Sequence, residues 1–145
     1  MAPGGDWTAA QIVDWLQVRG VSPTSQRLAI AAVLLRDWTH LSADEVHSRV
    51  NAEGSVASKA TVYNTLGLFA RKGLVREVIA DPNRVFYDPN TAPHHHFYDV
   101  TTGALRDIDA QGVQILGLPK VPEGMQVEGI EVIVRVRSSP AGVVR

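Results

Sequence analysis

Apolar positions in the first eighty residues recur at helical spacing in four separate runs. Thr8-Ala-Ala-Gln11 has the spacing of a capping box, and Ala9, Ile12, Val13 and Leu16 then follow as the stripe of a first helix. Gly20 supplies the left-handed residue that ends it. Ser22-Pro23 restarts the chain, with serine as a cap and proline suited to the first turn. Gln26–Arg36 is so rich in Leu, Ile, Ala and Val that it predicts a largely buried helix. Ser42-Ala-Asp-Glu45 is a second capping box, opening a short helix whose stripe is Val46 and Val50. Asn51–Ala57, containing Gly54, reads as a turn. Ser58 opens a fourth helix with Val62, Leu66 and Phe69 on one face, which turns Lys59, Tyr63 and Asn64 outward. Gly73 ends it.

Beyond Gly73 the period shortens. Leu74–Ile79 and Arg84–Tyr87 read as strands joined by the turn residues Asp81-Pro82-Asn83. Helices followed by one small hairpin is the order of a winged helix-turn-helix, in which the helix before the wing enters the DNA major groove. Asp88-Pro-Asn-Thr-Ala-Pro93 reads as a hinge. His94–Val100 and Ala104–Ile108 are strand-like around a turn at Thr101-Thr-Gly103. Asp109–Leu118 predicts a short helix, weakened by Gly112 and Gly117. Val127–Val136 alternates, with Ile130, Val132, Val134 and Val136 on one face, as in a half-buried strand. Residues 138–145 read as a tail. The expected fold is therefore α+β: a winged-helix domain over 1–87, a hinge over 88–93, and a small α/β domain over 94–137. Three strands in about fifty residues make a thin core, so the second domain is expected to dimerise.

Composition changes this picture in two places. With no cysteine among 145 residues there is no disulfide, thiol redox chemistry or thiolate zinc site. The net charge is −1, with eight Lys/Arg against seven Asp/Glu in residues 1–80 and six against eight in 81–145. DNA binders are often strongly basic, so any DNA contact here must be focused on one face. No apolar run approaches the length of a membrane span, and the N-terminus shows no secretory pattern, so a cytoplasmic protein without membrane contact is expected.

The candidate chemistry lies in two stretches. His94, His95 and His96 are three of the five histidines, and neutral imidazole is the commonest transition-metal ligand in proteins. In a strand His94 and His96 share a face, where they can chelate one ion, while His95 points the other way. The plain alternative is a solvated polar strand start. On the fourth helix, lysine suits phosphate, asparagine can pair with adenine, and a tyrosine ring can lie on a thymine methyl. The plain alternative there is an ordinary solvated helix face. His47 reads as a boundary residue, and Trp7, Trp15 and Trp38 as packing residues.

"SPTSQR", "ATVYNTL" with a following "GLV", a wing and a histidine cluster together resemble the ferric uptake regulator family of metal-dependent repressors. The likeness covers about residues 8–136. It implies a homodimer on a palindromic, A·T-rich operator, with Tyr63 and Asn64 toward bases and Arg27 and Lys59 on phosphates. A family lysine that reaches the minor groove falls near Ser22 here. It also implies metal ligands at His40, Asp88, His94, His96 and Asp107, with Tyr87 as the alternative to Asp88. That nitrogen and oxygen set suits Fe(II) or Mn(II). The family's first Cys-x-x-Cys pair falls on Asp99 and Thr102, and no histidine stands in the strand around Ile130. Three adjacent histidines without cysteine look most like the iron response regulator branch, which implies control of iron and haem genes and haem binding through His94, His95 and His96. A peroxide-sensing or manganese/iron-sensing repressor of the same family is the alternative. A haem or metal carrier without DNA binding is a further reading. A non-haem metalloenzyme is a remote one, because no nucleophile, phosphate loop or substrate domain accompanies the histidines.

Overall fold

The computed structural model describes residues 4–139. The chain divides after Thr91 into two compact units. The first unit holds α1 (Ala9–Gln17), α2 (Ser25–Asp37), β1 (Leu41–Ser42), α3 (Ala43–Val50), α4 (Lys59–Arg71), β2 (Arg76–Asp81) and β3 (Arg84–Asp88). The sheet order is β1-β3-β2, all antiparallel. This is a winged helix, with α4 as the helix before the wing.

Local chemistry accounts for most of the helix ends. Thr8 and Ser42 form the two expected capping boxes, and Ser58 caps α4 by accepting from the Thr61 N–H. Gly73, at φ +75°, closes α4: its N–H donates to Ala70 and the Leu74 N–H reaches back to Phe69, so orphan carbonyls are satisfied. One expected cap is different. Thr24, not Ser22, caps α2. The Ser22 hydroxyl and carbonyl instead accept from the Arg27 guanidinium at 2.8 and 3.0 Å. β1 has no sequence period to announce it; it forms because Leu41 and Ser42 pair with Tyr87 and Phe86 across β3.

The core of this unit is the set of helical stripes. Leu16, Ile30, Leu34, Leu35, Val46, Val62, Leu66 and Phe69 are fully buried. Trp15 meets Phe69 edge-on, and Trp7 stacks on Trp38. Trp38 ends α2 at φ +47°, a conformation that costs a non-glycine residue roughly 1–2 kcal/mol; the indole stack offsets part of it. The turn from α3 to α4 is built on one side chain. Asn51 Nδ2 donates to the carbonyls of His47 (2.8 Å) and Ala57 (2.9 Å), and its Oδ1 accepts from the N–H groups of Val56 (2.7 Å) and Ala57 (3.0 Å).

The second unit is a three-stranded sheet, β4 (His95–Asp99), β5 (Leu105–Ile108) and β6 (Ile133–Val136), in the order β5-β4-β6 with β6 parallel to β4. The helix expected over Asp109–Leu118 is absent: only a single 3-10 turn forms at Ala110–Gly112. Gly117 takes φ +72°, and Leu116 and Leu118 remain exposed, so no buried stripe drives a helix there. The alternating strand is also shorter than its pattern, and Ile130, Val134 and Val136 are each 38% exposed within one chain. Strand β3 runs through Asp88, so the chain stays extended one residue into the segment read as a hinge. Of the tail, residues 140–145 lie outside the described residues.

The turn where the family's first cysteine pair falls is closed by oxygen. The Asp99 carboxylate accepts from the Thr101 N–H at 2.8 Å and the Thr102 N–H at 3.3 Å. These backbone donors, Thr101 foremost, hold its carboxyl below the usual carboxylate range.

Candidate metal centre and nucleic-acid interface

Strand register assembles the histidine site within the second unit. Antiparallel pairing sets His96 directly across from Asp107, and the strand period brings His94 onto the same face. The His94 and His96 ring centroids lie 4.5 Å apart. Both Nε2 atoms approach Asp107 Oδ1, at 3.6 Å from His94 and 3.2 Å from His96. The His94 and His96 rings are buried while Asp107 is 53% exposed. His94 Nδ1 is 2.7 Å from the Ala92 carbonyl, which can only accept, so Nδ1–H is the donor.

His95 points away, as strand alternation requires. Its Nδ1 accepts from the Val132 N–H at 2.9 Å. The Val132 carbonyl in turn accepts from the His96 N–H at 3.1 Å. The chain just before β6 is thereby pinned to the histidine run from both sides. This brings in a residue that sequence reasoning missed: Glu131 Oε1 stands 3.1 Å from His96 Nδ1. No spacing signal marks it, because 35 residues separate it from His96. The one available hint was a carboxylate on the polar face of the alternating segment.

The first unit carries the other two expected ligands, His40 just before β1 and Asp88 at the end of β3. His40 packs edge-on against Phe86 at 5.9 Å, and a ligand atom of His40 lies within 4.8 Å of a carboxylate oxygen of Asp88. Phe86 and Asp88 share one face of β3, and Tyr87 points to the other. Tyr87 sits in the core cluster and lines a cavity with Tyr63. Burial, then the charges of Glu77 and Tyr63, push its phenol above the ordinary value. Of the two alternatives, it is Asp88 that faces His40. Asp88 is buried, and its Oδ1 accepts from the Asn90 N–H at 2.9 Å. Imidazole nitrogens with carboxylate oxygens and no sulfur are a donor set that fits a divalent transition metal.

The face expected to read DNA lies within the first unit. The fully buried stripe of Val62, Leu66 and Phe69 turns Lys59, Tyr63 and Asn64 outward, and Tyr63 is 44% exposed. Sequence reading missed the residue that these side chains meet. Asp44, in the first turn of α3, accepts from the Tyr63 hydroxyl at 3.3 Å and sits 3.3 Å from Lys59 Nζ. Both charged partners are about two-thirds exposed, so the pair contributes little to folding. Asp44, Tyr63, Tyr87 and Arg84 of the wing line an open cavity of about 380 Å³. Arg27, held by Ser22, retains further guanidinium donors for a phosphate.

A winged helix followed by a small mixed sheet with a His/Asp cluster defines a class of sensor-like DNA-binding folds. The chain belongs to the ferric uptake regulator family, whose model matches residues 18–135, and is thus a metal-responsive transcriptional regulator. It is 31% identical over 110 residues to the peroxide-responsive repressor PerR of Staphylococcus aureus, covering 76% of this chain and 73% of that protein. Its fold is similar to the iron-bound ferric uptake regulator of Francisella tularensis, at TM-score 0.67, 23% identity and coverage of 82% and 92% of the two chains. It is also similar to the manganese-bound regulator of Pseudomonas aeruginosa, at TM-score 0.66, 23% identity and coverage of 88% and 97%. Among the described residues no helix is long and apolar enough to cross a membrane.

Proposed function

We propose that the protein is a cytoplasmic, homodimeric repressor that binds a palindromic A·T-rich operator and responds to Fe(II) or Mn(II). The observation that carries the metal reading is the convergence of His94 and His96 Nε2 on Asp107. His94, His96 and Asp107 would hold the ion, with His40 and Asp88 supplying the remaining ligands. A divalent ion bound there would supply a charge centre for these imidazole and carboxylate donors. Tyr63 and Asn64 read bases, and Lys59 and Arg27 hold phosphates. Only one arrangement of two recognition helices fits a given half-site spacing, and a tenfold change in operator affinity needs about 1.4 kcal/mol of coupling. Exposed Ile130, Val134, Val136 and Phe97 support the homodimer, because a second copy would cover them.

We assign the response to a small ion rather than to haem. The haem reading through His94, His95 and His96 asks three buried rings to serve a planar ligand, and His95 has its Nδ1 engaged with Val132. We assign no enzymatic activity, since membership of a family of transcriptional regulators accounts for the His/Asp cluster as a sensing site. Similarity to a peroxide-responsive repressor supports peroxide as an input to the same site.

Fluorescence anisotropy on candidate operators, with Mn(II), anaerobic Fe(II), haem or chelator, tests the reading. Mn(II) or Fe(II) should change the operator Kd tenfold or more, and Tyr63→Ala should abolish binding while leaving metal affinity intact. A protein that binds no operator under any condition is not a repressor. A His94→Ala/His96→Ala double variant that keeps the full metal response refutes the assigned site.

A further inference from the structure

The metal reading leaves Glu131 without a role. We propose that Glu131 is a positioning residue: its carboxylate holds the His96 proton on Nδ1, so that Nε2 offers its lone pair to the metal. The inference rests on the metal reading above and adds a residue to it.

The argument starts from the two faces of one ring. His96 is fully buried and stands between two carboxylates, with Glu131 3.1 Å from Nδ1 and Asp107 3.2 Å from Nε2. Each carboxylate favours an N–H directed at itself. If Asp107 prevailed, the proton would sit on Nε2 and block the position where an ion must bind. Glu131 is the less solvated of the two, at 22% exposure against 53% for Asp107, so its pull on the ring is screened less. The Glu131 oxygen is at contact distance from Nδ1, though out of line for a directed hydrogen bond.

His94 shows the same arrangement already complete. Its Nδ1 is tied to the Ala92 carbonyl, and its Nε2 faces Asp107. The two rings thus present the same nitrogen to the same carboxylate, each with an oxygen behind it. Metal-binding histidines generally need such an outer partner to set the tautomer. His95 acquires a purpose from this as well. By accepting from the Val132 N–H, beside the His96-to-Val132 backbone bond, it holds the residue that follows Glu131 and so keeps the carboxylate in place.

The test uses the full-length protein and three variants: Glu131→Ala, Glu131→Gln and, as a charge control, the exposed Glu128→Ala. Long-range proton–nitrogen NMR of the metal-free protein reads the His96 tautomer, and competition with a fluorescent chelator reads the Mn(II) Kd. Wild type should show the proton on Nδ1. Glu131→Ala should shift it toward Nε2 and weaken Mn(II) binding by about 10–100-fold. Glu131→Gln, which keeps an acceptor oxygen, should retain the tautomer and lose less affinity, and Glu128→Ala should match wild type. If Glu131→Ala fails to fold, Glu131→Gln and wild type still decide: a wild-type proton on Nε2 overturns the proposal. Wild-type tautomer and Mn(II) affinity in Glu131→Ala also overturn it. A wild-type protein that binds neither Mn(II) nor Fe(II) defeats the metal reading itself, and this inference with it.

Discussion

Replacing Asn51 with alanine removes the four hydrogen bonds that shape the turn from α3 into α4. A hydrogen bond contributes a net 0.5–1.5 kcal/mol, and a buried group left unsatisfied costs about 1–3 kcal/mol. The partners differ in exposure. Val56 is exposed, so water replaces Asn51 there at little cost, whereas Ala57 is 6% exposed and loses partners for both its N–H and its carbonyl. The His47 carbonyl loses a second donor but keeps the Asn51 backbone N–H. Counting the two Ala57 groups at about 1 kcal/mol each and the other two bonds at about 0.5 kcal/mol each gives a loss of about 3 kcal/mol. In a unit of this size that corresponds to a fall in Tm of roughly 10–20 °C. All three tryptophans, Trp7, Trp15 and Trp38, lie in the first unit, so urea unfolding followed by tryptophan fluorescence reports on it selectively. Asn51→Asp sharpens the test. It keeps the two acceptor bonds but faces the carbonyls of His47 and Ala57 with a negative charge, and should cost at least as much as alanine. A loss below about 0.5 kcal/mol in Asn51→Ala, or a neutral Asn51→Asp, would show that the turn is held by packing and that this reasoning is wrong.

Two further outcomes follow from the same unit. Asp44 contacts Lys59 and Tyr63, the two side chains proposed to meet DNA, so Asp44→Asn should tighten operator binding about three- to tenfold, with folding stability nearly unchanged; equal or weaker binding would mean that Asp44 positions Tyr63 rather than masks it. The Tyr87 phenol is raised in the folded state, chiefly by burial. The folded state therefore holds this proton more tightly than the unfolded chain. The associated stability is intact below pH 10 and is lost as pH rises from there through the folded-state pKa. Tyr87→Phe should flatten that alkaline decline in urea melts at pH 9–11, and equal slopes for the two proteins would contradict the assigned burial effect.

The family relationship gives the metal and DNA readings a common logic, but the structure relocates where the chain's individuality lies. The turn that cysteine would mark in the family is held by Asp99 accepting from Thr101 and Thr102. Two carboxylates outside the expected site, Asp44 and Glu131, stand directly on the residues expected to read DNA and to bind metal. Each offers a way for this chain to set its own affinity on an inherited scaffold.

Helix positions, all their caps but that of α2, and the outward face of α4 were legible in the sequence, because they depend on contacts three or four residues apart. Thr8, Ser42, Ser58 and Gly73 act through their own neighbours, and the stripe of Val62, Leu66 and Phe69 is set by helical period alone. The split of the histidine run was legible too, since strand alternation sends His94 and His96 one way and His95 the other. Tertiary structure decided what period cannot encode. Pairing across β3 made β1 from two unmarked residues, and strand direction chose Asp88 over Tyr87 as the neighbour of His40. The 109–118 segment, helical by composition, found no apolar surface to cover and stayed irregular. Asn51 became the hub of a turn, and Glu131 came within 3.1 Å of a histidine 35 residues away. Such pairings depend on how strands register and helices pack, and only the folded chain brings those distant groups together.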